Sequence, residues 1–180
     1  KCKPLDINDF SIVVEEDFDT SIDNSTFNFP GWTNFAAEGT ELWSEQVFSG
    51  NGYAEFSSFR SGDDVNIGWL ISSGIDMDAQ TNEFLNFQIA QHHLDSEENT
   101  LEVFVSTDYD GTNVSAATWQ QISANLPTQS DSWYTFKDSG LVDLSSYIGT
   151  LYVGFKVTGS GNDQTLDGAY MLDDFKVLAQ

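Results

Sequence analysis

The sequence predicts an all-β protein, an antiparallel β-sandwich of about ten short strands. Three observations carry this. Apolar and polar residues alternate with period two in one run after another. No long stretch shows the 3.6-residue period of an amphipathic helix. Gly, Asn, Asp and Ser cluster between the runs, as tight turns require. A chain of 180 residues is the right size for one domain around one core.

Taken in order, residues 1–10 are polar, contain Pro4, and read as a linker or the tail of a preceding domain, with the sandwich expected over 11–180. Ile12, Val14 and Phe18 alternate with polar positions, the mark of a strand with one buried face. Runs at 42–48, 53–59 and 67–71 are rich in aromatic and β-branched residues, and those at 84–90 and 101–106 alternate cleanly. Runs at 133–136, 151–157 and 169–178 complete the set, while 115–119 and 144–148 suit single helical turns. There is no internal repeat.

Charge excludes several functions. Lys plus Arg number 6 against 29 Asp plus Glu, a net charge of −23, and no Lys or Arg lies between Ser61 and Phe136. No basic patch for nucleic acid or an anionic membrane surface can be assembled from so few cations. Polyanionic ligands are disfavoured too, unless a metal mediates. An apolar content of 39% with 14% aromatics is far too high for a disordered acidic chain. No apolar run approaches the ~20 residues of a membrane-spanning helix. The single cysteine, Cys2, excludes an internal disulfide and a multi-cysteine zinc site, and in a terminal tail it is a poor nucleophile. Lys1 before Cys2 does not suit a lipid-anchored cysteine, and the lack of a leader segment or initiator Met reads as a mature product or excised fragment.

An ordered set of short motifs then adds a resemblance. It comprises Glu16 to Asp19, Gly31 to Asn34, Trp43, Gly68 to Ser72, Ile75 to Asp78, Leu85 to Phe87, Val105 to Gly111, Ala117 to Trp119, Asp143 with Leu144, and Leu172 to Phe175. This set resembles the choice-of-anchor J and cleaved-adhesin jelly-roll domains of secreted or surface Bacteroidetes proteins. The resemblance implies a jelly roll, export to the cell surface or medium, and an accessory role beside neighbouring domains of a larger protein. It also implies calcium in some relatives and no single shared ligand.

Four constellations could carry chemistry. By alternation Glu16 faces inward with Ile12, Val14 and Phe18, and Asp173 faces inward with Phe175 and Val177. With first and last strands close together, as the resemblance implies, two inward carboxylates need compensation, and Lys176 is the only cation near. A structural calcium held by Glu16 and Asp173 with Asp17, Asp19 and Asp174 would supply it. The alternative is a set of solvated edge acids. Asp108, Asp110 and Gly111 read as a turn before they read as a fragment of a calcium loop. Trp32, Trp43 and Trp133, flanked by polar residues, are candidate stacking platforms for sugar rings, whereas Trp69 and Trp119 read as core. His92 and His93 follow a strand and should point to opposite faces, so that His92 alone could hydrogen-bond a sugar hydroxyl. No spacing marks a carboxylate dyad, and no Gly-x-Ser-x-Gly or His-Glu-x-x-His motif is present. The expectation is a non-catalytic exported module for a neutral or weakly charged polysaccharide, with a protein-adhesion or spacer domain as the alternative.

Overall fold

The computed structural model describes Pro4 and residues 6–180, so the readings that fall on Lys1, Cys2, Lys3 and Leu5 lie outside the described residues. A short 3-10 turn, Ile7–Asp9, precedes the strands. These are β1 (Ser11–Glu16), β2 (Ser25–Thr26), β3 (Thr33–Glu38), β4 (Ser44–Phe48), β5 (Asn51–Ser57), β6 (Asn66–Ile71) and β7 (Ile75–Asp76). They continue with β8 (Glu83–His92), β9 (Thr100–Ser106), β10 (Gln120–Ile122), β11 (Lys137–Asp138), β12 (Val142–Asp143), β13 (Thr150–Gly159) and β14 (Ala169–Ala179). The described residues contain no α-helix. Segment 133–136 is a turn and not the expected strand, while β2, β3, β7, β10 and β12 were not legible as separate strands.

Two sheets face each other. The larger runs β11-β8-β14-β5-β4-β2, with β1 added to β14 and β12 to β8; the smaller runs β10-β9-β13-β6-β3, with β7 on β13. Every pairing is antiparallel, the arrangement of a jelly roll. The core between them comes from alternate positions, as the pleat requires. Phe56, Leu85, Phe87, Ile89, Leu172 and Phe175 from the larger sheet meet Leu70, Val103, Val153 and Phe155 from the smaller.

The larger sheet has a seam. β14 pairs with β8 along its length, but its other edge is shared: β5 occupies it up to Leu172 and β1 from Phe175 onward. A bulge between Asp173 and Lys176 marks the change, and Asp174 has φ 47°. The turn after β1 closes the seam by inserting Phe18, with φ 54°, fully into the core. Gly52 of β5 must be glycine for this to fit, because a Cβ there would lie 2.0 Å from the Phe18 carbonyl oxygen. Gly52→Ala is expected to lower stability by about 3 kcal/mol or more, read as a fall in the urea midpoint at constant slope.

The outer faces differ. The loop between β9 and β10 folds across the smaller sheet, and Tyr109, Val114 and Trp119 pack on Trp69 and Ile71. Trp69 and Trp119 are therefore core residues as expected, but of this second layer. Asp108 and Asp110 are turn formers: Asp108 Oδ1 accepts from the Thr118 N–H at 2.7 Å, and Asp110 Oδ1 accepts from the Thr112 and Asn113 N–H groups at 2.8 Å. These bonds hold both carboxyls below the usual range. On the larger sheet Tyr53, Ala90 and Met171 are buried under Phe136, while Phe48, Phe59, Trp133 and Tyr134 remain exposed.

Candidate functional site

The open outer face of the larger sheet collects aromatic side chains. Tyr53 on β5, Ala90 on β8 and Met171 on β14 pack together there with Phe136. Phe48, at the end of β4, remains 74% exposed. Phe48, Asn51, Tyr53, Tyr134, Phe136 and Met171 line a depression of about 570 Å³. A second, of about 590 Å³, is lined by residues that include Gln46, Glu55, Phe59, His92, His93 and Asp167. The two adjoin along the strands, since Tyr53 and Glu55 are successive outward positions on β5, as Phe48 and Gln46 are on β4.

A turn places two rings over this face. Gln91 is fully buried, and its Nε2 donates to the carbonyls of Asp131 (2.8 Å) and Thr128 (3.2 Å). The Tyr134 N–H donates to the Gln91 carbonyl at 2.9 Å. The chain passes through Tyr134 at φ 58°, which turns both side chains back over the end of β8. Trp133 then stacks on His93 with centroids 4.0 Å apart, and Tyr134 stacks on His92 at 4.5 Å. Both remain about half exposed, at 48% and 56%. Trp133 and His92, two of the expected ligand-binding residues, thus stand together.

The other two do not join them. Trp43 is corrected to a core residue: it is fully buried, lies 5.8 Å from the Phe56 ring, and donates from Nε1 to the Gly68 carbonyl at 3.3 Å. Trp32 is half-buried and edge-packed against Phe18 and Phe175, at 5.4 and 5.0 Å, so it closes one end of the core. The expectation that His92 and His93 diverge is also corrected. His93 has φ 56°, which ends the strand alternation and brings the two Nδ1 atoms to 2.8 Å. His92 Nε2 lies 3.1 Å from Glu55 Oε2. Asp167 lines the same depression with its carboxyl pushed upward by burial and by the negative charge of Asp95. Sequence reasoning missed Tyr134, Glu55, Phe48, Tyr53 and Phe136; the exposed aromatic after Trp133 was the one available signal.

The five expected calcium ligands sit around the seam, and four of them, Glu16, Asp17, Asp19 and Asp173, accept hydrogen bonds from within the chain. Glu16 Oε1 accepts from the Phe18 N–H, and Asp17 Oδ1 from the Asp19 N–H, each at 3.0 Å. Asp173 does not face inward by alternation: the bulge puts two residues between the inward Leu172 and Phe175. It is nonetheless buried, accepting from Asn51 Nδ2 at 2.8 Å and the Asp174 N–H at 2.7 Å. Among the described residues no group of three or more His, Cys, Asp or Glu is arranged to hold a metal ion.

Burial pushes the Asp173 carboxyl up to about 6, helped by the charges of Asp174 and Asp19 and opposed by its two hydrogen bonds. Its folded value exceeds the unfolded value of about 4. Its favourable contribution is therefore complete below pH ~4 and is lost as pH rises through about 6. Asp173→Asn is expected to melt higher than the wild type at pH 7.5, and the difference should vanish near pH 4.5. Magnesium as well as calcium should raise wild-type melting, by screening the net charge of −23.

Together these features define a class: an antiparallel β-sandwich jelly roll with one outer face covered by a loop and exposed aromatic rings on the other. The chain belongs to the DUF5017 family, a domain of unknown function, whose model matches residues 40–179. In structure it is similar to the K1 cleaved adhesin domain of Lys-gingipain from Porphyromonas gingivalis, at 21% identity and TM-score 0.56 over 93% of this chain and 98% of that one. It is similar to the K2 cleaved adhesin domain of Lys-gingipain at 16% identity and TM-score 0.59, over 91% and 96%. The CBM22-1 xylan-binding domain from Paenibacillus barcinonensis Xyn10C aligns at 14% identity and TM-score 0.50, over 95% and 96%. These likenesses are of fold. No curated protein sequence matches the chain.

Proposed function

We propose that this domain is a non-catalytic exported module that binds a neutral or weakly charged polysaccharide on the outer face of the larger sheet. One observation carries the reading: Trp133 and Tyr134, each half exposed and each backed by a histidine ring, stand over an open face with Phe48, Tyr53 and Phe136. The C–H faces of a pyranose are apolar and slightly positive, so they stack on aromatic π faces. Gln46, His93 and Asp167 beside the rings can meet the hydroxyls. No Lys or Arg lines either depression, which disfavours acidic sugars.

Protein adhesion is the second reading. It is favoured by the exposed Phe48, Phe59, Trp133 and Tyr134, since apolar side chains gathered in this way are often covered by a partner. Native affinity electrophoresis separates the two. Soluble xylan, mannan and laminarin are run against alginate and carrageenan, in calcium and in EDTA. Retardation by a neutral glycan supports the binding module. No retardation by any of the five overturns it in favour of adhesion.

A further inference from the structure

We propose that Glu55, His92 and His93 form one hydrogen-bond chain that fixes His93 Nε2 as an acceptor beside Trp133, so that the face selects sugar residues presenting hydroxyl donors and rejects those bearing carboxylate or sulfate. This rests on the polysaccharide reading and names its substrate class. The inference starts at the strand. Glu55 points outward from β5, and His92 from β8, with β14 between them. A carboxylate only accepts, so the 3.1 Å contact from His92 Nε2 to Glu55 Oε2 puts the hydrogen on Nε2. In the neutral ring, which carries one hydrogen, His92 Nδ1 is then an acceptor.

The next contact follows from this. His93 Nδ1 lies 2.8 Å from His92 Nδ1, a hydrogen-bond distance that requires one hydrogen between them. The ring centroids are 5.0 Å apart, so the two nitrogens point almost directly at each other. Such a head-on approach suits N–H···N and leaves no room for a metal between two lone pairs. His92 has no hydrogen left at Nδ1, so His93 must supply it. That leaves the lone pair on His93 Nε2.

The geometry holds this state. Tyr134 and Trp133 stack on the two rings at 4.5 and 4.0 Å and restrict their rotation. The φ of 56° at His93 is the backbone distortion that brings the second ring round to the first. His93 Nε2 therefore offers a lone pair at the exposed edge of the Trp133 stack, with the Asp167 carboxylate as a second acceptor in the same depression. These two acceptors complement hydroxyls, which donate. They repel groups that only accept, because each would leave a lone pair facing a negative oxygen. Glu55 is thus a positioning residue acting through two rings.

Two measurements test this. Long-range proton–nitrogen NMR of the wild-type imidazoles should show His92 hydrogen-bearing at Nε2 and His93 hydrogen-bearing at Nδ1, the less common form of a free histidine. In Glu55→Leu the His93 signature should revert to the common form, and the dissociation constant for the retarding glycan among xylan, mannan and laminarin should rise about tenfold. Glu55→Gln keeps a carbonyl acceptor and should preserve both. Wild-type His93 hydrogen-bearing at Nε2, or a Glu55→Leu variant with unchanged ring signatures, overturns the chain. Equal retardation by alginate or carrageenan overturns the selectivity. Wild type that shows both ring forms yet binds none of the five glycans overturns the polysaccharide reading while supporting the ring assignment.

Discussion

Replacing Trp43 with alanine is expected to unfold most of the protein at room temperature or leave it melting far below the wild type. The indole is fully buried against Phe56. Removing a buried Trp costs about 3–5 kcal/mol, from lost transfer energy and from the cavity left behind. That is comparable to the whole stability of many domains, about 5–15 kcal/mol. Relaxation is limited here. Gly68 lies under Phe56, where a Cβ would come within 2.1 Å of the ring, so these groups are already at contact distance. The Gly68 carbonyl also loses its Nε1–H donor. Circular dichroism with urea titration reads the loss. Trp43→Phe, which keeps most of the volume but not the donor, should fall between. A Trp43→Ala variant that melts like wild type and loses only glycan binding would instead make this residue a surface platform.

The reason Trp43 looked exposed is instructive. Its neighbours Ser44 and Glu45 are polar, and polar flanks are a reasonable sign of surface. Glu45, however, is itself buried, and its carboxylate accepts from the Ile22 N–H at 2.7 Å and the Asn28 N–H at 2.9 Å. It anchors the segment that crosses from β1 towards β3, a role that depends on contacts 17 and 23 residues away in sequence. The two-residue period did expose the sandwich, because β8 and β9 run without interruption through the core. It failed where the backbone leaves the extended region. Phe18, His93, Tyr134 and Asp174 all have positive φ without being glycine. At Asp174 the alternation breaks, so Asp173 leaves the inward register that alternation from Phe175 would give it. At His93 and Tyr134 the same kind of break assembles the ring cluster. Such residues leave no local trace in a sequence, since glycine and asparagine are the usual markers of positive φ. The fold was therefore legible, and so was the polar-aromatic character of the face, while the seam and the ring cluster were not.

Replacing Trp133 or Tyr134 with alanine is expected to abolish retardation by the neutral glycan while leaving the melting temperature almost unchanged. Neither ring belongs to the core between the sheets, and each is about half exposed. Surface truncations of this kind usually change stability by no more than about 0.5 kcal/mol. The turn that carries them is held by backbone and by Gln91, not by the rings, so it should survive their loss. Binding should suffer much more. A stacked sugar loses its dispersion and C–H contacts to the indole, and His93 loses the partner that restrains it; a tenfold or greater rise in the dissociation constant corresponds to about 1.4 kcal/mol or more. Tyr134→Phe keeps the stack on His92 and should retain most of the affinity. Gln91→Ala makes the complementary test, since it removes the support and not the rings. It should weaken binding through misplacement of both rings at once and should also lower stability, because the Thr128 and Asp131 carbonyls lose their donor. If the two ring variants bind as wild type does, the glycan face lies elsewhere on the molecule, and the stacked pairs serve only to brace the turn.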